Sequence, residues 1–428
     1  MASGQAAAVI PPGLFHNRFF QTILLSNVLL QIGIWVRNFA ILLYVAEKTN
    51  DDPMHVVLIQ FVEYAPIFIF SFIGGTFADR WRPKRTMIWC DLLSAASVFV
   101  VLLTMLTDAW QTIYLVTLVS AILSQFSQPS AMKLFKAHVP PEQLQQAMAM
   151  FQSLMAIFLV GGPALGIFVY NQFGIYLSIA VMGVAFLLSA LVLVRIPEST
   201  ESAPAVDSGP ASRKGGFWKE MGEGFRYVWR SPVLRTLGAT FALAGLAVGI
   251  TQALGLYVVI ERLDKPREFL QYIMMAVGVA MLLGGGVIAG IAKKVPPQKL
   301  LAFGLLVGAA TTVGIGYSEN AALTLTLQFI GGLVFPAIHI GITTMILQWS
   351  EEDVVGRVNG ILNPMFVGMM AVMMPISGLL KREMPLETIY AISGLSMLLG
   401  MLVLVPIFKH KPPESAAAVK APSGMPSH

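Results

Sequence analysis

Charged residues are scarce in this chain. Asp, Glu, Lys and Arg make up 12% of its 428 residues, about half the share found in soluble domains. Hydrophobic residues make up 56% and are spread along the whole length. We therefore expect lipid to be the main solvent of this protein, and no loop is long enough to hold a soluble regulatory domain.

Residues that carry most enzyme and metal chemistry are also few. The single cysteine, Cys90, excludes an intramolecular disulfide. The six histidines are scattered without the spacing of a metal site or a metalloprotease motif, and no phosphate-binding lysine motif is present. The sequence therefore predicts no metal site and no enzymatic activity.

Long apolar runs are what the chain does contain. A helix needs about 20 apolar residues to cross the hydrocarbon core of a bilayer. The runs between charged and Pro/Gly/Asn-rich segments predict twelve spans, at residues 18–46, 54–79, 85–107, 110–134, 143–170, 174–195, 233–260, 268–292, 298–317, 320–349, 355–380 and 386–408.

The basic residues predict the orientation of these spans. With the N-terminus inside, 21 of the 28 Lys and Arg residues fall on the cytoplasmic side, six fall outside and only Arg37 lies within a span. This bias follows the positive-inside rule and predicts a multi-pass protein of the bacterial cell (inner) membrane with both termini cytoplasmic. It also explains the basic pI without a nucleic-acid partner.

The predicted fold is an all-α membrane protein with two pseudo-symmetric six-helix lobes. The lobes are predicted at 18–195 and 233–408, between cytoplasmic tails at 1–17 and 409–428. A cytoplasmic linker at 196–232 includes an amphipathic helix at 217–230 that is expected to lie on the inner membrane surface. A Gly-Pro motif at 162–163 recurs as Met374-Pro375 in the second half, which indicates duplication.

Two motifs resemble those of a known family. Gly75-x-x-x-Asp79-Arg80-x-x-x-x-Arg85 lies between the second and third spans, and Gly162-Pro163-x-x-Gly166 lies in the fifth. They resemble motifs of the major facilitator superfamily, the second being associated with its antiporters, and further segments resemble its macrolide and siderophore exporters.

The resemblance implies alternating access by two rocking lobes, with no cofactor. It also implies a latch in which Asp79 and its neighbouring arginines hold the second span to the start of the eleventh, where Arg357 is a candidate partner. We expect Asp91 to pair with Lys84 or Arg85. The alternative interpretation is that these charges only set the orientation of the spans.

Arg37 and Glu63 are the ionisable residues deepest in the apolar runs. Both lie about 13 Å below the outer surface, so they are placed to pair. Glu63 is the candidate protonation site, because burial disfavours its charge and Arg37 favours it. A permanent structural ion pair and direct substrate contact remain alternatives. His339 is a second candidate for proton coupling.

Neutral polar residues within spans predict a substrate cavity, since polar groups facing lipid are disfavoured. A methionine row in the eleventh span fits either this cavity or a helix interface. The candidate cavity residues are Gln31, Asn38, Gln60, Gln252, Tyr257, Gln328, Asn363, Met365 and Met369.

Few fixed charges in such a cavity favour a bulky amphipathic small molecule. The leading hypothesis is a monomeric, proton-coupled exporter of drugs, macrolides, siderophores or lipopeptides, with protons and membrane lipid as its other partners. The alternatives are a lipid flippase and a proton-coupled uptake carrier. A membrane-embedded enzyme is the hypothesis from a different class, and the sequence disfavours it.

Overall fold

The described part of the chain folds into twelve α-helices. The computed structural model describes residues 17–78, 81–139, 141–195, 217–292, 294–351 and 354–409. The helices are α1 (Arg18–Lys48), α2 (Pro53–Ala78), α3 (Pro83–Met105), α4 (Thr112–His138), α5 (Pro141–Val194), α6 (Phe217–Arg230), α7 (Pro232–Tyr257), α8 (Leu270–Ile291), α9 (Pro297–Tyr317), α10 (Ala321–Trp349), α11 (Val355–Glu383) and α12 (Leu386–Leu404).

Helix α5 is two antiparallel arms joined at Gly174. This residue has φ 72° and ψ −175°, a conformation that glycine adopts at little cost. Gly166, eight residues before the turn, lies against Trp35 of α1, and Met182, eight residues after it, lies against Gly33 of the same helix. The chain therefore reverses at Gly174, and α5 supplies two membrane spans.

When α6 is left out, eleven helices remain, and α5 supplies two spans. The result is twelve spans in two six-helix lobes, as predicted from the sequence. Among the residues that the structure describes, ten stretches are long and apolar enough to span a membrane by themselves. The difference from twelve has two causes: α5 is one continuous stretch, and α4 carries a polar segment with Ser124, Gln125 and Gln128. The expected all-α membrane fold is confirmed.

Glycines allow the closest helix contacts within each lobe. In the first lobe a Cβ on Gly162 would lie 2.3 Å from the Trp35 ring of α1, and one on Gly166 would lie 2.6 Å from the Trp35 carbonyl oxygen. In the second lobe Gly245 and Gly249 of α7 meet carbonyl oxygens of α11 in the same way. Each lobe thus contains a close glycine-mediated contact between its first and fifth spans. The glycines belong to the fifth span in the first lobe and to the first span in the second lobe.

The two ends of the helix bundle differ in how the lobes meet. We call the end with the α1–α2, α7–α8 and α11–α12 connections the clasp end, and the end where α1 begins and α6 lies the linker end. Near the clasp end one hydrophobic cluster joins both lobes, with Leu43 and Val57 packed together with Leu254 and Met374. Near the linker end each lobe has its own cluster. In this conformation the lobes are sealed at the clasp end.

Helix α6 packs on the second lobe. Val228 is buried in the cluster of α7, α9, α10 and α11, and Gly224 lies against Ile361 and Arg357 of α11. The Phe225 and Trp229 rings stack at 5.7 Å and stay exposed. The helix therefore has one face on the protein and an aromatic face turned away from it.

The glycine packing predicts that alanine substitutions at two glycines of α5, five residues apart, differ in their effect on stability. Gly166→Ala places a methyl group against the Trp35 backbone and should lower stability by about 1–3 kcal/mol. Gly161 has open space around its Cβ position, so Gly161→Ala should be neutral or stabilising by up to about 1 kcal/mol. Thermal unfolding in one detergent measures both; equal losses of stability would contradict the packing.

Candidate functional site

A buried polar triad connects α1 and α2. The Arg37 Nη2 lies 3.6 Å from Glu63 Oε1. Asn38 bridges them: its Oδ1 accepts from the Arg37 guanidinium, and its Nδ2 donates to Glu63 Oε1 at 2.9 Å. The pairing that the sequence predicted between Arg37 and Glu63 is thus present, while the amide bridge through Asn38 was not foreseen.

The two charges of the triad differ in exposure. The Arg37 side chain is 4% exposed and that of Glu63 is 24% exposed. The Arg37 Nη1 is buried and has no hydrogen-bond partner among the described residues. A buried guanidinium depends on its counter-ion, because removing one partner of such a pair costs about 3–5 kcal/mol. Of this pair, only the Glu63 carboxylate is partly exposed.

The Gly162 and Gly166 motif lies directly behind the triad. Both glycines pack on Trp35, two residues before Arg37, and Gly166 also lies against Phe39, two residues after it. The close approach of α5 therefore fixes the stretch of α1 that carries Arg37. Pro163 lies in the same arm of α5. On the other side of the triad, the Tyr64 hydroxyl of α2 reaches Gln252 of α7, in the second lobe.

Asp91 does not have the partner that we expected from the sequence. Its side chain is buried, and its Oδ2 accepts a hydrogen bond from Ser189 Oγ at 2.6 Å; Ser189 in turn bonds Ser26 of α1 at 2.8 Å. No ion pair joins Asp91 to Lys84 or Arg85 among the described residues, and Lys84 donates to the Val194 carbonyl. The expected ion pair is wrong, because Asp91 points into the lobe, away from the loop.

The latch residues are only partly within the described part of the chain. Asp79 and Arg80 lie outside the described residues, and Gly75 is in the last turns of α2. Arg85 is exposed at the start of α3. The described partner of Arg357 is Glu223 of α6, with Nη1 and Oε2 3.7 Å apart.

Four charged residues join the lobes at the clasp end. Asp51 accepts from Arg267 Nε and Nη2 at 2.8 and 2.7 Å, and Asp52 accepts from Arg382 Nη2 at 2.9 and 3.1 Å. We call these residues the clasp. The Tyr257 hydroxyl adds a bond of 2.9 Å to the Asp51 carbonyl oxygen. The sequence analysis missed the clasp, although acids after α1 and three arginines in the outer connections were a signal for it.

The backbone presents the two acids of the clasp in a tight turn. Asn50 and Asp51 have φ of 51° and 61°, a left-handed conformation that Asn and Asp adopt more readily than other non-glycine residues. Partial burial of Asp52 opposes its charge, but the Met54 N–H and the Arg382 guanidinium outweigh it and hold the pKa of Asp52 below its usual value. The surroundings of Asp52 in the clasp therefore favour its charged form.

Three of the predicted cavity residues lie away from the space between the lobes. Tyr257 is 1% exposed and belongs to the clasp-end seal. Met365 and Met369 lie on a different face of α11 from Asn363, since two residues correspond to about 200° around a helix. Met365 packs toward Gly238 of α7, whereas Asn363 is exposed on the opposite side. The two methionines line an apolar groove between α2, α6, α7 and α11 instead.

The remaining candidates have different environments. Gln252 and His339 are exposed, while Gln60 and Gln328 are half-buried. Gln31 donates to the sulfur of Met155. His339 lies 18 residues from the clasp end of α10 and Arg37 lies 11 from that of α1, which puts His339 about 11 Å deeper. The structure therefore does not bring His339 to the triad.

Comparison with known proteins gives consistent matches. The family model described as Major Facilitator Superfamily matches residues 23–338 and 270–426. The uncharacterized MFS-type transporter YkuC of Bacillus subtilis is 24% identical over 95% of both chains. Multidrug efflux pump Tap of Mycolicibacterium fortuitum is 24% identical over 83% of this chain and 88% of its own. Macrolide efflux protein A of Streptococcus pyogenes is 27% identical over 52% of this chain and 53% of its own.

Solved structures share the fold. The nucleoside transporter NupG aligns with a TM-score of 0.72, at 14% identity, over 92% of this chain and all of its own. At this level of identity the likeness concerns the arrangement of the helices.

The clasp predicts that charge reversal at two adjacent residues of α11 has different effects on opening at the clasp end. Arg382→Glu places like charges across the lobe interface. It should raise the accessibility of the space between the lobes at the clasp end, measured by chemical labelling, by about fivefold, since a part-exposed pair contributes about 1 kcal/mol. Lys381 pairs with Glu261 of its own lobe at 2.8 Å, so Lys381→Glu should leave labelling unchanged. The double variant Asp52→Arg/Arg382→Glu should restore the wild-type level. Equal effects of the two single variants would contradict an inter-lobe role.

Proposed function

Because the chain belongs to the Major Facilitator Superfamily, we propose that it is a proton-coupled exporter of hydrophobic or amphipathic small molecules. The observation that carries the proposal is the triad of Arg37, Asn38 and Glu63 beneath the clasp-end seal. The efflux activities named for its relatives support the direction of transport. We place the linker end and both termini in the cytoplasm, following the bias of Lys and Arg.

Proton coupling in this proposal follows from charge pairing. The ion pair exists only while Glu63 is deprotonated, and protonation leaves the buried Arg37 without a counter-ion. The described conformation, closed at the clasp end, therefore favours release of the proton toward the cytoplasm. Arg37 and Glu63 belong to the same lobe, but Tyr64, next to Glu63, reaches Gln252 of the second lobe. A lobe movement that breaks this contact and weakens the pairing of Glu63 with Arg37 would favour uptake of a proton instead, which would link proton binding to lobe movement.

The proposed substrate site lies between the lobes on the cytoplasmic side of the triad. Asn363 of α11 is exposed there, 20 residues from the clasp end of its helix. Gln252 of α7 is exposed near the depth of the triad, where the Tyr64 hydroxyl reaches it. Gln60 and Gln328 are half-buried and lie on the outer side of the triad, each seven residues from the clasp end of its helix. Amides donate and accept hydrogen bonds without a fixed charge. Such a surface suits a large, weakly polar molecule better than a sugar phosphate or an inorganic anion. His339 is a candidate for contact with substrate deeper in the same space.

The motif between α2 and α3 is proposed to hold the two lobes together when they close at the linker end. In the clasp-closed conformation Arg357 lies next to Glu223 of α6, so it is not committed to α2. When the lobes close at the linker end, Arg357 would exchange Glu223 for Asp79, with Arg80 and Arg85 as neighbouring charges. The two ends then alternate: the clasp holds one, and the latch holds the other.

Neutralising Glu63 tests the proposal. In proteoliposomes with a macrolide as substrate and an imposed pH gradient, Glu63→Gln should abolish uphill transport and the substrate-dependent pH change, because no proton can be released. Transport down the substrate gradient should persist. Glu47→Gln changes an acid that bonds Tyr170 away from the triad and should keep uphill transport.

A double variant separates coupling from folding. Arg37→Gln/Glu63→Gln removes both charges and should recover any stability lost by Glu63→Gln, since replacing both partners of a buried pair is close to neutral. It should still lack uphill transport. Full proton-driven transport in either Glu63 variant would sink the assignment, and transport of lipid or inward accumulation of substrate would favour the flippase or uptake alternatives.

A further inference from the structure

An apolar groove lies where the two lobes meet α6. It is a cavity of about 650 Å³ to which four helices contribute, and all of its lining residues are non-polar. We call it the seam groove and identify it by Phe68 of α2, Ala242 of α7, Phe225 of α6, and Met365, Met369 and Val372 of α11. No group in this lining can recognise a polar ligand, so its occupant must present a hydrocarbon surface.

The groove lies in one leaflet of the membrane. Phe68 is ten residues from the linker end of α2, and Ala242 is ten residues from the start of α7. Both are therefore about 15 Å from the linker end, the depth of half a hydrocarbon core. The α11 lining runs from Ile361 to Val372, about 16 Å along the helix axis. This is an elongated space, parallel to the lipid chains.

The groove opens toward lipid and away from the space between the lobes. On α11 it lies on the opposite side from Asn363. The same strip of the helix continues toward the clasp end with Ile376 and Leu379, which are exposed large hydrophobic residues. Exposed aliphatic side chains at membrane depth face hydrocarbon, so the groove is continuous with the lipid-facing surface.

Positive charge lies above the mouth of the groove. Arg226, Arg230 and Arg235 are exposed around the aromatic face of α6, while the nearby acid Glu223 is paired with Arg357. Phe225 lines the groove and stacks on Trp229, and aromatic residues of this kind concentrate at the headgroup level of a bilayer. An apolar slot beneath arginines that have no ion-pair partner among the described side chains is complementary to an anionic amphiphile.

We propose that the seam groove binds one anionic phospholipid of the inner leaflet, with an acyl chain between α2, α7 and α11 and its phosphate near Arg226 and Arg230. The proposal uses the cytoplasmic placement of the linker end given above, but not the exporter activity. Phe68 and Gly368 face each other from different lobes, and a Cβ on Gly368 would meet the Phe68 ring at 2.6 Å. The width of the groove therefore depends on the lobe arrangement.

Native mass spectrometry tests binding without measuring transport. The full chain is released from micelles that contain equal amounts of palmitoyl-oleoyl phosphatidylglycerol and phosphatidylcholine. The wild type should retain one phosphatidylglycerol. Ala242→Phe and Val372→Trp, which fill the groove from opposite walls, should each reduce this adduct by about tenfold, because they exclude several buried methylene groups. Leu379→Trp, outside the groove on the same strip, should retain it.

A second pair of variants tests whether the arginines of α6 select the lipid headgroup. Arg226→Gln/Arg230→Gln should remove most of the preference for phosphatidylglycerol over phosphatidylcholine, a change of about fivefold for each charge. Lys294→Gln/Lys299→Gln, at exposed positions near α9, should keep that preference. Equal retention in Ala242→Phe and Leu379→Trp would overturn the site. So would a groove-filling variant that keeps the lipid but loses a bound macrolide, because the groove would then belong to the transported substrate.

Discussion

One buried charge constrains the rest of this structure. Arg37 lies within the first lobe at membrane depth, where an unpaired guanidinium is costly. Its counter-ion, Glu63, is on the neighbouring helix, and Asn38 fixes the distance between them. The glycines of α5 hold α1 in the position that makes this pairing possible. The candidate site for proton exchange and the packing of the first lobe are thus parts of one arrangement.

The clasp and the triad differ in what they join. The clasp pairs Asp51 and Asp52 of the first lobe with Arg267 and Arg382 of the second, and the Met54 N–H and Arg382 hold the pKa of Asp52 below its usual value. The triad lies within the first lobe, between α1 and α2. Tyr64, next to Glu63, reaches Gln252 of α7 and so connects the surroundings of the triad to the second lobe.

Particular residues show how far the sequence could be read. Apolar run length predicted the helices, and similar depth predicted the pairing of Arg37 with Glu63, because both follow from spacing along a single chain. The clasp, the Asp91–Ser189 bond and the turned-away methionines depend on how helices rotate about their axes and on which loops meet across the lobes. The methionine row was ambiguous for that reason: its spacing defines a face, but only packing decides what that face meets.

The most direct test of the account is whether protonation of Glu63 moves the lobes. Spin labels at Lys48 and Lys265, on exposed positions of opposite lobes at the clasp end, report their separation in a variant with Cys90 replaced. Lowering the pH from about 8 to about 5.5 should populate a longer distance in the wild type, and Glu63→Gln should show that longer distance at both pH values. A wild-type distance that does not change with pH, or the same pH response in both proteins, would contradict it.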